Sequence, residues 1–439
     1  MQVESIILSA GKGTRMKTEA PKVVQKLLGY EMVNHVLSNL QQAGIKDHTL
    51  VVGYKKEEVL NAIDNFNYDY VEQKQQLGTG HAVKVCKSKF RNKNGITVIV
   101  CGDTPLVSSD TFKKLIKKHK QEKSAMTILT AKVENPTGYG RIIRNDIGSV
   151  TAIVEEKDAT FTQRQIKEIN SGIYCFDTKL LFKYIDKIKN NNKQKEYYLT
   201  DLVEIFNNNK QRVAAFVCED SDEIKGINDL VALDQATSIL QKRINTNLQL
   251  NGVKIIDQSS TFIGPKVKIG PGTVIEPHNI IYGECKIGAN CTLKQGNTID
   301  NSVIGTDTLV GPQAHIHTNS KIGNWCKIGN FVEVKNTTVK DHSKAAHLTY
   351  LGDSVIGKNV NIGCGVITAN YDGVNKHKTI IKDNCFIGSN VTLIAPITVE
   401  KDCLIAAGST VSLNKIPKDK LVIAREREVI KERKNRGRK

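Results

Sequence analysis

Apolar positions along this chain follow two different periods. Up to about residue 228, short β-rich runs alternate with amphipathic stretches: 5–9 then 31–42, 49–53 then 57–65, and 97–101 then 110–121. That alternation predicts a Rossmann-like α/β domain over 1–228, its mostly parallel sheet covered by helices on both faces. Sites in such sheets lie at the carboxyl ends of the strands. Next, Leu230, Leu233, Ala236, Ile239, Leu240, Ile244 and Leu248 recur at helical spacing with no Gly or Pro between them, so 229–250 reads as a linker helix.

From Phe262 the pattern changes to a beat of six residues. It begins Ile263-Gly264, Ile269-Gly270, Ile275-Glu276, continues through Ile304-Gly305, Val310-Gly311, Ile316-His317 and Ile328-Gly329, and returns later as Ile356-Gly357, Ile387-Gly388 and Ile405-Ala406. A hexad repeat predicts a parallel β-helix over 251–425, in which each aliphatic residue points into a narrow prism and the small residue after it allows the corner. Three hexads make one coil, so residues eighteen apart are expected to stack. Two segments break the beat, one between Glu333 and Gly357 and one from Thr368 to Lys376, and breaks in a strict repeat usually carry function. Residues 426–439 read as a solvated basic tail.

At 439 residues the chain has room for two full cores. No run of about 18 apolar residues could cross a bilayer, and Met1-Gln2-Val3-Glu4 lacks a secretory pattern, so a cytoplasmic protein with no membrane partner is expected. The 10 cysteines include no C-x-x-C pair and sit mostly in apolar strand patterns, as small buried hydrophobes do. The net charge of +18 favours anionic partners, although residues 425–439 supply +5 of it from eight Lys/Arg and three Glu. Aromatic residues make up 5% of the chain and none lies in that tail, so nucleic acid is not expected; phosphorylated small molecules fit the charge at least as well.

The run 5–9 leads into Ala10-Gly11-Lys12-Gly13-Thr14-Arg15-Met16, followed by Pro21-Lys22. Glycines let backbone N–H groups close on phosphate oxygens, and Lys12, Arg15 and Lys22 add positive charge. The spacing fits neither a Walker A loop nor a complete G-x-G-x-x-G, and alone this segment also reads as an ordinary basic β–α turn. Residues 98–101 have a buried-strand pattern ending in Gly102-Asp103-Thr104-Pro105-Leu106. That delivers a carboxylate to the sheet edge where a Mg2+ bridging nucleotide phosphates is held.

Together with Gln73, Gln76-Leu77-Gly78-Thr79-Gly80-His81-Ala82 and Gly138-Tyr139-Gly140-Arg141, these segments resemble the sugar-phosphate nucleotidyltransferases. Val154-Glu155-Glu156-Lys157-Asp158-Ala159, Ile169-Asn170-Ser171-Gly172, Glu196-Tyr197-Tyr198-Leu199-Thr200-Asp201 and Gly226-Ile227-Asn228 narrow the likeness. They resemble the uridylyltransferase half of the bifunctional N-acetylglucosamine-1-phosphate uridylyltransferase and glucosamine-1-phosphate N-acetyltransferase family. The resemblance covers nearly the whole chain. It implies that Leu8, Ala10, Gly11 and Lys22 cradle the nucleotide and that Gln73, Gly78 and Thr79 read its uracil. Gly140, Glu155 and Asn170 would hold the acetylated sugar, and Asp103 and Asn228 the Mg2+. Arg15 and Lys22 would be catalytic, neutralising charge as the sugar phosphate attacks UTP and pyrophosphate leaves.

Lys344-Ala345-Ala346-His347-Leu348-Thr349-Tyr350-Leu351-Gly352-Asp353 and the segment 368–376 resemble the acetyltransferase half of the same family. By that resemblance His347 is the general base for an amine attacking the thioester of acetyl-CoA. Lys335, Tyr350, Asn361 and Lys376 would contact the acceptor sugar, and Asn370, Tyr371, Ser389, Ala407 and Arg425 the acetyl-CoA. The family further implies a left-handed β-helix, a homotrimer, and a product that feeds cell-envelope glycans, peptidoglycan and lipopolysaccharide among them. One departure stands out: His317 occupies a position, one coil before Lys335, where the family carries arginine followed by proline. Histidine lacks the bidentate fork of arginine, so a weaker grip on the acceptor phosphate is expected. The competing reading keeps only uridylyl transfer and makes the β-helix structural or regulatory. A zinc site of the γ-carbonic-anhydrase type is not expected, because two coils before the pair His342 and His347 stands Thr306, while His315 and His317 lie at another offset.

Overall fold

The computed structural model describes residues 2–426, 429 and 430. Two compact units meet in sequence between Leu240 and Gln241, inside the helix Leu230–Leu250. Of the expected tail over 426–439, all but Glu426, Val429 and Ile430 lies outside the described residues.

In the first unit the main sheet has the order Val213–Cys218, Met126–Lys132, Glu168–Asp177, Ile96–Cys101, Val3–Ser9, Asp47–Val52, Tyr68–Glu72. Neighbours run parallel except at Glu168–Asp177, which is antiparallel to both strands beside it. Topology explains the exception. No long crossover helix separates Met126–Lys132 from Glu168–Asp177; between them lie the hairpin Arg141–Arg144 with Val150–Val154 and the short helix Phe161–Arg164. Ile6, Ile7, Val98, Ile99 and Val100 are fully buried, and apolar clusters cover both faces of the sheet. The helix expected over 57–65 ends at Asn61. Beyond it the buried Asn34 takes the Ala62 carbonyl at 2.8 Å and the Asp64 N–H at 3.2 Å, an arrangement that replaces helical bonds with side-chain ones.

Asp229 caps the helix Leu230–Leu250 by accepting from the Ala232 N–H at 2.8 Å. Leu233, Ala236, Ile239 and Leu240 then pack with Leu27, Met32, Leu106 and Ile227, whereas Ile244 and Leu248 join the core of the second unit. No helix among the described residues is long and apolar enough to cross a membrane.

The second unit is a three-sided parallel β-helix. Ile263 stacks on Ile281, Ile281 on Ile299, Ile299 on Ile316 and Ile316 on Val334, all within one buried column. Coils are not uniformly eighteen residues long. The register is 18 at Phe262–Ile280 and His315–Glu333, 17 at Thr298–His315 and Glu333–Tyr350, and 25 at Ser354–Thr379. The longest coil contains the expected break at 368–376. The other expected break, 333–357, is no break: the coil passes through it with Val334, Val339, Ala345, Leu351 and Ile356 buried. A small Ala345 and two five-residue steps hide the beat there. Register also corrects the position two coils before His342, which is Asp307, not Thr306, with the Trp325 ring between, stacked 4.9 Å from His342.

The small residue after each aliphatic serves proximity, not its own backbone angle. A Cβ on Gly288 would lie 2.7 Å from the Thr306 nitrogen, and one on Gly363 2.6 Å from that of Ser389. Left-handed geometry comes two residues later: Asn290, Asp307, Trp325, His342, Asn359, Asn384, Asp402 and Asp419 form a column with φ between 52 and 62°. All ten cysteines are free, and the Sγ atoms of Cys291 and Cys385 each lie 3.0 Å from a carbonyl of the next coil.

One corner is lined by stacked amides. Asn297 is fully buried, donates to Asn279 Oδ1 at 2.9 Å and accepts from the Ala314 N–H at 2.9 Å. Asn297→Ala leaves both partners without that bond, so the β-helix should lose about 1–3 kcal/mol. Trp325, the single tryptophan, lies in this unit, so the urea midpoint followed by its fluorescence checks the loss.

Candidate functional sites

Strands Val3–Ser9 and Ile96–Cys101 pair with Leu8 opposite Cys101, so the loops leaving them open at one sheet edge. The first loop turns at Gly13, with φ 64°, where a Cβ would sit 2.6 Å from Lys22 Cβ. Glycine therefore lets Lys22 lie across the loop. The Lys22 ammonium donates to the Asp103 carboxylate and, at 3.1 Å, to Asn228 Oδ1; Arg15 Nη2 reaches the same Asn228 oxygen at 2.8 Å. Asn228 is carried there by the preceding residue, Ile227, whose N–H donates to the Asp103 carbonyl at 2.9 Å. Two oxygen donors thus converge on one cation, the donor set that a hard divalent ion such as Mg2+ takes, and Asp103 and Asn228 fit that ion.

Beside this cluster opens a cleft of about 230 Å³, lined by Leu8, Thr79, Asp103, Gly140, Glu155, Asn170 and Asn228 among others. Gly140 forms part of its floor, since a Cβ there would lie 3.1 Å from Ile153 and 3.4 Å from Glu155 Oε2. Its carbonyl accepts from the Asn170 N–H at 2.9 Å, and Asn170 Nδ2 donates to the Tyr174 hydroxyl at 2.8 Å. Arg141 fixes this stretch from behind, donating to the Tyr139 carbonyl and pairing with Glu156 at 2.7 Å. Burial raises the Glu155 carboxyl above its ordinary range, opposed by the Thr200 hydroxyl at 3.4 Å.

Gln73 Nε2 lies 3.3 Å from the Gly78 carbonyl and 3.0 Å from His81 Nδ1. Gly78 has φ 104° and passes so close to Tyr197 that a Cβ would be 2.7 Å from its carbonyl, while Thr79 Oγ1 accepts from the Leu199 N–H at 3.1 Å. Residues 73–79 are therefore tied to the 196–201 segment. Ala10 and Gly11 lie on the loop, with the Ala10 carbonyl held by the Tyr54 N–H at 3.1 Å, and neither lines the cleft. Tyr174 is not marked out by the sequence at this site, and Thr200 and Asp201 are marked only as members of the 196–201 segment, with no role. Tyr174 and Thr200 line the cleft, and the carboxyl of Asp201 is pushed up to about 6 by burial, then by Glu204 and Glu155. The available signal for the last two was a hydroxyl and a carboxylate following Tyr197-Tyr198-Leu199.

On the β-helix, His347 is exposed on strand Lys344–Gly352, level with Asn330 of strand Lys327–Lys335. Nδ1 lies 2.7 Å from Asn330 Oδ1; with that amide oxygen accepting, the proton sits on Nδ1 and Nε2 keeps a free lone pair. Asn330 is invisible as a partner in the sequence because the coil between it and His347 is 17 residues long, not eighteen. Extending the registers Lys344–Asn361, Asn361–Phe386 and Phe386–Leu404 by three residues puts Cys364, Ser389 and Ala407 in a column with His347. Arg425 Nη1 donates to the Ala407 carbonyl at 3.1 Å.

The next face carries His317 paired with Lys335, and Lys335 with Gly352, where the absence of a Cβ makes room for the Tyr350 hydroxyl. Asn361 lies elsewhere, beside Lys344 on the face that leads into His347. Tyr371 and Lys376 pair across the exposed loop of the long coil. Within that loop Asn370 donates to the Asp353 carboxylate, and Asp372 accepts from two backbone N–H groups and lies 2.7 Å from His377, bonds that hold its carboxyl well below the usual range. The chain thus gathers Lys335 and Tyr350, but not Asn361 or Lys376, with them.

A nucleotidyl transferase family model matches residues 4–341, and a hexapeptide-repeat model of succinyl-transferase matches residues 378–412. Curated relatives called Bifunctional protein GlmU match along nearly their whole length. The one from Clostridioides difficile strain 630 is 46% identical, covering 98% of this chain and 97% of its own. One from Staphylococcus epidermidis is 46% identical over 98% and 99%, and one from an Exiguobacterium species 43% identical over 98% and 99%. A solved UDP-glucose pyrophosphorylase complexed with UDP-glucose, 18% identical at a TM-score of 0.46, covers 55% of this chain and 100% of that one, a likeness too loose to carry an argument about chemistry. Matched almost end to end at this identity, and built as a nucleotidyltransferase unit followed by a left-handed hexapeptide-repeat β-helix, the chain belongs to the bifunctional GlmU family of nucleotide-sugar enzymes.

Proposed function

We propose that this chain makes UDP-N-acetylglucosamine in two steps: acetyl transfer from acetyl-CoA to the amine of glucosamine-1-phosphate on the β-helix, then uridylyl transfer from UTP to N-acetylglucosamine-1-phosphate in the first unit. The observation that carries the reading is the Lys22, Asp103, Asn228 and Arg15 cluster opening beside the cleft of Gly140, Glu155 and Asn170. Charge for phosphates and polar contacts for a sugar meet at one strand edge.

In uridylyl transfer, a phosphate oxygen of the sugar attacks the α-phosphorus of UTP, the bond to the β-phosphate oxygen breaks, and pyrophosphate leaves. Asp103 and Asn228 would hold a Mg2+ ion, which would supply charge neutralisation at the phosphates. Lys22, displaced from Asp103, and Arg15 are long cations at the same edge and stabilise the charge that builds up on the leaving group. Gln73, Gly78 and Thr79 present amide and hydroxyl groups for a base, and Glu155 with Asn170 accept and donate to sugar hydroxyls and the acetamido group. In acetyl transfer, the amine attacks the thioester carbonyl, His347 Nε2 takes its proton, the carbon–sulfur bond breaks and the thiol of coenzyme A leaves. Asn330 holds the imidazole in the tautomer that this requires. A homotrimer and a cytoplasmic location complete the proposal.

Two variants separate the halves. With glucosamine-1-phosphate and acetyl-CoA, His347→Ala should release free thiol about 10²- to 10⁴-fold more slowly, the usual worth of a general base. Pyrophosphate release from UTP and N-acetylglucosamine-1-phosphate should be unchanged, and undiminished thiol release would mean that the β-helix uses another base or none. Asp103→Ala should do the reverse, cutting pyrophosphate release by about 10² or more while thiol release persists; a fully active Asp103→Ala would remove the metal-holding role from this site.

A further inference from the structure

The strand His315–His317 carries a group of side chains to which the two-step chemistry assigns no catalytic part. Residues two apart on a strand point to the same side, so both imidazoles face outward while Ile316 between them is fully buried. Their rings stack at 4.0 Å and 10°. One coil earlier the strand Thr298–Asp300 pairs Ile299 with Ile316, which brings Asp300 level with His317. One ligand atom from each of Asp300, His315 and His317 lies within 4.8 Å of the other two.

We infer that His315, His317 and Asp300 bind a divalent transition-metal ion of the Zn2+ class, and that this ion grips the phosphate of the acceptor sugar beside Lys335. The second half rests on the reading of this face as the acceptor site; the first does not. Two imidazoles and one carboxylate suit Zn2+ and its neighbours far better than Mg2+, which prefers oxygen. A tetrahedral ion about 2.0–2.1 Å from its ligands needs them about 3.3 Å apart. The ligand atoms would have to close from the present separation, and all three side chains reach solvent. The outer contacts suit a ligating imidazole: Glu333 Oε1 lies 3.2 Å from His317 Nε2 and Thr318 Oγ1 lies 2.9 Å from Nδ1. Whichever nitrogen meets the ion, the other keeps a partner that orients the ring.

Three protein ligands leave a fourth position open. His317 pairs with Lys335 on the following coil, so that open position and the Lys335 ammonium lie side by side on one face. An anionic phosphate oxygen is a competent fourth ligand, and the ion would supply there the positive charge that a neutral imidazole does not.

The test uses the full chain stripped of metal with a chelator and titrated with Zn2+ against a chromophoric competitor, with Co2+ as a spectroscopic stand-in. A single tight equivalent is expected. Affinity should fall by more than about tenfold in His315→Ala and in His317→Gln. Trp325 fluorescence verifies that each variant is folded. Equal Zn2+ affinity in wild type and both histidine variants overturns the site. Glucosamine-1-phosphate should then shift the visible absorption of the Co2+-loaded chain, and one equivalent of Zn2+ should lower the acceptor KM severalfold without touching uridylyl transfer. Metal that binds while spectrum and KM stay put overturns the phosphate grip. Because titration needs no turnover, a chain that binds Zn2+ but transfers no acetyl group counts against the acetyltransferase reading and leaves the metal site standing.

Discussion

Parallel strands held in register place the cation cluster of the first unit and the general base of the second. In the first unit, the pairing of Leu8 with Cys101 opens two loops at the same edge, and the Lys22 to Asp103 contact follows from that alignment. In the second, hydrogen bonds between coils set His347 against Asn330 and Lys335 against His317. A slip of one residue in either unit would turn side chains to the wrong face, so the apolar residues that hold the register also hold the chemistry.

Much of this was legible from residue order. The alternation up to residue 228 and the six-residue beat come from burial, and burial is written in the positions of aliphatic residues. Coil length is not. The 25-residue coil announced itself by its break at 368–376, but coils of 17 and 18 residues differ only in their corners, and no aliphatic pattern records which corner has lost a residue. That is why Asn330 was hidden behind His347 and why Asp307, not Thr306, lies two coils before His342. The antiparallel strand Glu168–Asp177 was likewise concealed, because its apolar run looks the same in either direction.

The first site was legible where a residue type has one use. Gly13 and Gly78 sit at positive φ against Lys22 and Tyr197, and glycine is what such positions admit. Asp103 ends a buried strand, and a carboxylate there demands a cation. Tyr174 was not, and Thr200 and Asp201 carried no role beyond their place in the 196–201 segment, since tyrosine, threonine and aspartate have many bland uses. Their part in the cleft comes from contacts between segments far apart in sequence, such as Thr200 with Glu155.

The two units also differ in what they let change. Gly140 cannot gain a side chain without meeting Ile153 and Glu155, so the sugar cleft is coupled to its own packing. On the β-helix the core is a column of inward aliphatics, and the outward positions between them carry little of the fold's stability. His315 and His317 flank a buried Ile316 that any outward neighbours would leave in place. An outward arginine and an outward histidine are thus nearly equal in folding terms and very different toward a phosphate. Departures in binding chemistry should therefore collect on the β-helix faces, where His317 stands.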